Sequence, residues 1–370
     1  MSESSQPLIS VLIPIYNVVA YLDECLGSVA AQTFTDFEAI CINDGSTDGS
    51  LDIILSYVDK DSRFQLIDKA NSGYGASMNR GLDAARGQYI AILESDDFMA
   101  PGALAELYQA VTDFDAEVAK ANCYYYWPGR LVTNRHRDLV PRQQCGRLIN
   151  PQEEHDIFFY QPSVWSALYR REFLLANDIR FTETPGASYQ DTSFNLKLWI
   201  SATRAVFLPQ ALVHYRQDNQ ASSVKAKDKA FAVVDEFHEV ERFAGQHGDG
   251  QREAAHRENA GWLPAVIAAL KFQAYLWNYE RLAEELQLDF LMQVSTELAA
   301  DDAAGRLDRQ LLEPRYALDL ESILRSPTEY HRQRQSFGGS GRLAKARHYL
   351  KLGGLPLLFG ILKSKLFVRS

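Results

Sequence analysis

The sequence predicts an α/β protein: a parallel sheet with helices over the first 125 residues, then a mainly α-helical C-terminal region. Three observations carry this. Short apolar runs alternate with segments of helical spacing from Ile9 to Tyr124. The segments that follow the first four runs are polar, several with glycine. From about 225 to 325, Ala, Leu, Glu and Arg dominate and strand-like runs are few.

Each element has its own signal. Ile9 to Ile13 is a short apolar run closed by Pro14, as expected of a buried strand. Val18 to Ala31 puts Val18, Leu22, Leu26 and Val29 on one helical face. Phe37 to Ile42 is a second strand. Asp44 to Ser50 is a turn and helix start rich in capping residues, and Leu51 to Val58 continues it. Phe64 to Ile67 is a third strand, Ala76 to Ala85 a helix and Tyr89 to Leu93 a fourth strand. Pro101 opens a helix that runs to Thr112, and Ala116 to Tyr124 forms a fifth strand. Residues 125–220 are mixed and loop-rich, and Gly245 to Gly250 reads as a break between helices.

Composition excludes several classes. The chain has 370 residues, 46% hydrophobic and 23% charged, which rules out whole-chain disorder. Its net charge of -10 argues against a nucleic-acid partner, which needs clustered Lys and Arg. That charge is unevenly spread: from His331 to Ser370 there are nine Lys and Arg and no Asp or Glu. This end also carries greasy patches at Leu355 to Phe359 and Leu366 to Val368. Basic plus apolar suits peripheral contact with an anionic bilayer surface; the alternative is a tail packed on the acidic body. Four cysteines without metal-type spacing do not make a disulfide framework. Met1 to Pro7 has no signal-peptide character and Leu355 to Leu362 is too short to span a bilayer. The expected compartment is the cytoplasm.

Ligands of such sheets bind beyond the carboxyl ends of the strands. Topology therefore brings Pro14 to Asn17, Asn43 to Gly45, Asp68 to Gly73 and Glu94 to Asp97 to one edge. Glu94-Ser95-Asp96-Asp97 is the sharpest of these. Its three carboxylates repel one another unless a cation is present, and hard oxygen ligands select Mg²⁺ or Mn²⁺. The plainer reading is an acidic turn before the next helix. Asp44 can present its carboxylate to a uracil N–H or a ribose hydroxyl, or close an Asx turn with Gly45. Asn71-Ser72-Gly73-Tyr74-Gly75 lets backbone approach a ligand closely.

Residues 8–125 resemble glycosyltransferase family 2, whose fold is GT-A, a Rossmann-like nucleotide-sugar domain. The resemblance runs through Ser10 to Asn17, Asn43 to Ser50, Asn71 to Gly81 and Glu94 to Asp97, in that order, and extends more weakly to Ser223. It implies a nucleotide-sugar donor, a divalent metal on its diphosphate, and transfer with inversion. By position, Pro14 and Tyr16 line the base pocket, Asp44 contacts the uridine, and Asn71 and Asn79 border the nucleotide. Asp96 is the metal ligand, with Glu94 on the ribose or metal side. Two departures stand out: Glu94 replaces the usual Asp, and Met78 stands where the family often has Arg. Tyr189-Gln190-Asp191-Thr192 looks like the site of the general base, which makes Asp191 the base; the competing role is N-cap of the helix that follows. His214-Tyr215-Arg216 is similar to a segment that closes over the diphosphate. It offers His214 as a metal ligand and Arg216 as a phosphate partner. Trp127 and Trp165 are candidates for stacking on an acceptor sugar, or for ordinary packing.

The expected organisation is a GT-A domain over 1–224, a helical region over 225–330 and a basic amphipathic tail over 331–370. The expected function is an inverting, Mn²⁺- or Mg²⁺-dependent glycosyltransferase. It moves a sugar from a UDP-sugar to a glycan or lipid-linked acceptor in surface polysaccharide or lipopolysaccharide biosynthesis, at the inner face of the plasma membrane. Region 225–330 is a candidate homodimer surface. The alternative, a nucleotidyltransferase of related fold, calls for a Gly-rich, Lys/Arg-bearing loop after the first strand, and Pro14 to Val19 has none. A non-catalytic nucleotide- or sugar-binding scaffold does not need the acidic motif.

Overall fold

Strand β1 (Ile9–Ile15) is buried along its whole length, as an apolar run between two neighbours must be. It pairs in parallel with β2 (Phe37–Asp44) on one side and β4 (Tyr89–Ile92) on the other, and β3 (Phe64–Lys69) extends the sheet beyond β2. Helices α1 (Val19–Ala30), α2 (Ser50–Val58) and α3 (Tyr74–Ala84) make the crossovers. The structure is a computed structural model that describes residues 6–130, 133–184, 186–219, 230–249, 261–336, 346–351 and 354–355. The chain divides into two compact units, 1–225 and 226–370.

The expected parallel core is therefore present, but the full sheet is mixed. Its order is β3-β2-β1-β4-β9-β6-β10-β5. β9 (Ala167–Arg170) runs antiparallel to both β4 and β6 (Val118–Tyr126). β10 (Ala205–Arg216) is parallel to β6, and β5 (Phe98–Met99) is antiparallel to β10. β5 and β9 escaped the sequence reading because runs of two and four residues carry too little periodicity. Two further short strands, β7 (Asn134–Arg137) and β8 (Leu148–Ile149), pair with β6 and β10. Helix α4 (Ala103–Asp113) links β5 to β6, α5 (Arg171–Ala176) follows β9, and α6 (Gln190–Ser201) precedes β10.

Pro14 does not close β1, which continues to Ile15. The Leu12 carbonyl accepts from Leu93 N–H, so even-numbered positions of β1 aim their backbone groups at β4. The β4 pairing ends at Leu12. The missing N–H of Pro14 thus falls where no ladder bond is needed.

In the second unit, α7 (Ala232–Asp249) runs through Gly245 and ends at Asp249, so the break expected over Gly245 to Gly250 does not fall at Gly245; residues 250–260 lie outside the described residues. α8 (Trp262–Tyr279), α9 (Glu284–Ala303), α10 (Pro314–Arg325) and α11 (Pro327–Ser336) follow. Phe237, Phe272, Tyr275 and Phe290 are fully buried among them. The basic end is partly folded into this unit. Arg334 is buried on Glu280 at 2.6 Å, and His348 and Tyr349 are buried on Asp319 at 2.7 and 2.8 Å. The tail expected over 331–370 therefore begins inside the packed unit. Its apolar patches beyond Leu355 lie outside the described residues. Among the described residues no helix is long and apolar enough to cross a membrane.

Lys271 and Asp301 form a buried ion pair at 2.6 Å, and Arg306 holds the other oxygen of Asp301 at 2.6 Å. Asp301→Ala leaves the buried ammonium with Glu241 alone, which is largely exposed. The expected loss is about 3–5 kcal/mol of stability, read as a lower urea midpoint. A double change to Lys271→Met and Asp301→Leu recovers most of it, because no buried charge is then left unpaired.

Candidate functional site

The carboxyl ends of β1, β2 and β3 meet at one edge. Asn17, with φ of 53°, turns the chain out of β1 and accepts from Thr47 N–H at 2.8 Å. Its own N–H donates to Ser46 Oγ at 3.1 Å, which ties the loop after β1 to the loop after β2. Pro14 is buried, while Tyr16 is 50% exposed and Asn71 is exposed. Asp44 is buried between them. Its two carboxylate oxygens accept from Ser72 N–H at 2.8 Å and Gly73 N–H at 3.0 Å, and Lys69 pairs with it. Asp44 thus anchors the glycine loop; the Asx turn on Gly45 is not what holds it.

The acidic turn follows β4. Asp97 N–H donates to the Glu94 carbonyl at 3.0 Å, closing the turn. Burial pushes Glu94 up to about 8, helped by repulsion from Asp96 and Asp191 and opposed by the Tyr74 hydroxyl, which donates to it at 2.7 Å. Burial, then Asp96, raises Asp97 well above the carboxylate range. One oxygen of Asp97 accepts from Arg216 N–H at 2.8 Å. The other is buried with no hydrogen-bond partner among the described residues. Asp96 accepts from Asn219 at 2.8 Å.

These features fit a hard divalent cation. The donors are carboxylate oxygens, their charges repel, and one oxygen is orphaned. Among the described residues no three His, Cys, Asp or Glu side chains are grouped to hold an ion by themselves. Asp96 and Asp97 would therefore supply one or two ligands, in the way Mg²⁺ and Mn²⁺ sites borrow substrate phosphates and water.

Three residues proposed from the sequence are engaged by other protein groups. His214 is stacked on Phe98 at 4.3 Å and on Tyr124 at 5.0 Å, with Nδ1 on Asn134 at 2.7 Å. Burial lowers its proton affinity, and it joins no ligand set with Asp96. The Arg216 guanidinium, buried over the rings of Tyr21 and Tyr126, donates to the Asp96 carbonyl at 2.7 Å and pairs with Glu24. It braces the acidic turn. Asn79 is buried with both ends of its amide engaged: it donates to the Phe181 carbonyl and to Glu183, both at 2.9 Å, and accepts from Phe181 N–H. It clamps the 181–183 segment.

That segment explains the glycines. A Cβ on Gly75 would lie 1.9 Å from the Thr182 carbonyl oxygen, and one on Gly73 would lie 2.9 Å from Gly186 N and Thr184 O. Gly73 also has φ of +93°. The chain itself makes a close approach at both glycines. Tyr74 N–H donates to the Gly186 carbonyl at 3.0 Å. Gln190, where the family often has Glu, donates to Thr184 Oγ1 at 2.7 Å. The glycine loop therefore seats the segment that delivers Asp191.

Asp191 is not the N-cap of α6. Tyr189, in the left-handed region at φ of 61°, takes the cap position, and Asp191 is the second helical residue. Capping does not consume its carboxylate. Burial raises Asp191 to about 6, opposed by hydrogen bonds from Thr192 and by the Lys120 charge. Lys120, buried on β6 and brought down to about 7 by its desolvation, went unnoticed in the sequence. A single charge inside Val118-Ala119-Lys120-Ala121 was the available signal. Tyr74 was missed as well, because nothing local foretells its reach to Glu94.

A profile for glycosyl transferase family 2 matches residues 10–175. Glycosyltransferase GlyG of Streptococcus pneumoniae is 31% identical over 219 residues, which are 57% of this chain and 71% of GlyG. The chain belongs to glycosyl transferase family 2. Within that family it is 32% identical to the uncharacterised glycosyltransferase EpsJ of Bacillus subtilis, over 57% of this chain and 62% of EpsJ. The match spans less than two thirds of EpsJ. TarS of S. aureus, solved in complex with UDP-GlcNAc, superposes with a TM-score of 0.66 at 20% identity. The superposition covers 88% of this chain and 90% of the TarS chain, and it establishes the shared fold: a mixed Rossmann-like sheet of GT-A type followed by a helical region.

Proposed function

We propose that this family 2 protein is an inverting glycosyltransferase that takes a UDP-sugar as donor and a glycan hydroxyl as acceptor. The observation that supports it most is electrostatic. Glu94, Asp96, Asp97 and Asp191 come from two segments some hundred residues apart and fall within one another's fields or one step of them. A merely structural site has no reason to gather four carboxylates.

Tyr16, Asn71 and the loop anchored by Asp44 hold the uracil and ribose at the ends of β1, β2 and β3. Asp96 and Asp97 would hold Mn²⁺ or Mg²⁺, which when bound offsets the charge that builds on the departing diphosphate. Asp191 faces the acceptor. It takes the hydroxyl proton onto a carboxylate oxygen as the acceptor oxygen bonds to the anomeric carbon. The bond from that carbon to the diphosphate breaks on the opposite face, so UDP leaves with the electron pair and configuration inverts. A base near pKa 6 is ionised at neutral pH yet basic enough to accept the proton.

Titration with UDP tests the donor half. We expect binding that strengthens when Mn²⁺ is added, and at least tenfold weaker metal-dependent binding in Asp96→Asn, as about 1.4 kcal/mol or more is removed. A purified, folded protein with no affinity for UDP in Mn²⁺ rules the reading out. A screen of UDP-sugars, beginning with UDP-GlcNAc, then identifies the donor by metal-dependent hydrolysis.

A further inference from the structure

The strand ends next to the acidic turn carry a second feature that the donor site does not use. Tyr215, which lies in the field of Asp97, Asp96 and Glu94, stacks on Trp165 at 4.9 Å and 12°. Its ring lies 5.9 Å from Tyr125, and Tyr125 lies 6.1 Å from Trp127. Arg137 sits over Tyr125 at 5.9 Å and Arg130 over Trp127 at 5.1 Å. The strip therefore runs from the catalytic carboxylates outward along the β6–β7 hairpin, and Tyr125, Trp127 and Tyr215 are all partly exposed along it.

The charge on this hairpin is unusual for an acidic chain. From Trp127 to Arg142 there are four arginines and one acid, Asp138. Asp138 pairs with His136 at 3.3 Å and meets Arg142 at 3.9 Å. Arg130, Arg135 and Arg137 are exposed and have no carboxylate partner among the described residues. Arg130 and Arg137, exposed yet seated over aromatic rings, are positioned by those rings with charge available to a ligand.

We infer that the Tyr215–Tyr125–Trp127 strip with Arg130 and Arg137 is the acceptor track, and that the acceptor is a glycan bearing negative charge, as phosphate or carboxylate. This rests on the glycosyltransferase reading and adds the acceptor's chemical class. Sugar rings pack on aromatic faces, and guanidinium forks pair with phosphate or carboxylate oxygens. The hairpin supplies positive charge beside an acidic centre and steers the end of such a chain toward Asp191.

Binding of the full-length protein to oligogalacturonate, phosphorylated dextran and neutral dextran of matched length tests this. At least one anionic glycan should bind about tenfold or more tightly than neutral dextran, and weaken as salt rises. The Arg130→Gln, Arg137→Gln double variant should lose about tenfold of that affinity at an unchanged melting temperature. Preference for galacturonate or for phosphate supports the inference and names the group. Equal binding of neutral dextran, no binding of either anionic glycan, or an unaffected double variant overturns it. So does arginine-dependent binding to phosphatidylglycerol vesicles without glycan binding. UDP titration of the same preparation keeps the two readings apart. A protein that binds UDP but no anionic glycan loses only the acceptor assignment, whereas one that fails to bind UDP loses the donor reading.

Discussion

Asp191→Asn should lower sugar transfer by about 10²–10⁴-fold while leaving UDP binding within a few-fold of the parent. The amide is nearly isosteric and cannot take a proton, so the fold and donor site persist and only the hydroxyl goes unactivated. The pH dependence gives a second readout. Asp191 is raised to about 6, so it is ionised and competent above that value and protonated below it. The acid limb of kcat/KM should therefore fall about tenfold per pH unit below pH 6. In the variant, residual transfer should lose that limb. Persistence of transfer near the parent rate places the base elsewhere.

Gly75→Ala should be nearly as damaging without touching a single reacting atom. The new Cβ would sit 1.9 Å from Thr182 O and 2.8 Å from Thr182 C, and both are backbone atoms that no rotamer can relieve. Either α3 or the backbone at Thr182 and Glu183 must move. Such overpacking costs about 1–3 kcal/mol, and a shift of about 1 Å in the segment that carries Asp191 costs about 10²-fold in rate. Thermal unfolding and the transfer assay read the two effects separately. Gly245→Ala is the matched control: nothing lies within 4 Å, and the site is helical. It should be neutral or stabilising by up to about 1 kcal/mol. A Gly75→Ala protein with parental stability and rate would falsify the clamp.

The two glycines show where sequence reading reaches and where it stops. β1 to β4 and their helices were legible, because burial on both sides of a parallel strand writes continuous apolar runs. The order of the strand-end segments was legible too, since crossover topology dictates it. The partner of each polar side chain was not. Gly73 and Gly75 announce a close approach, yet only the fold shows that Thr182, Thr184 and Gly186 make it. Asn79, Arg216 and His214 carry the right chemistry for a ligand, and each is engaged by protein groups that lie far away in sequence. Asp191 shows the reverse. Its neighbourhood reads as a helix cap, and the left-handed Tyr189 moves the cap back by two positions, which no local propensity foretells.

The Asn79 clamp joins residues 102 apart in the chain, and the Tyr74 amide reaches as far as Gly186. The entropy of closing such a loop must be met before any of its contacts form. The parallel strands β1 to β4 need no residue beyond Ile92 to pair with one another. On a ribosome, they are free to dock before residues 181–191 are synthesised. The strand ends proposed to hold the nucleotide thus mature ahead of the proposed base. Turnover becomes a late property of the growing chain, switched on by ring closure and not by the first appearance of folded structure.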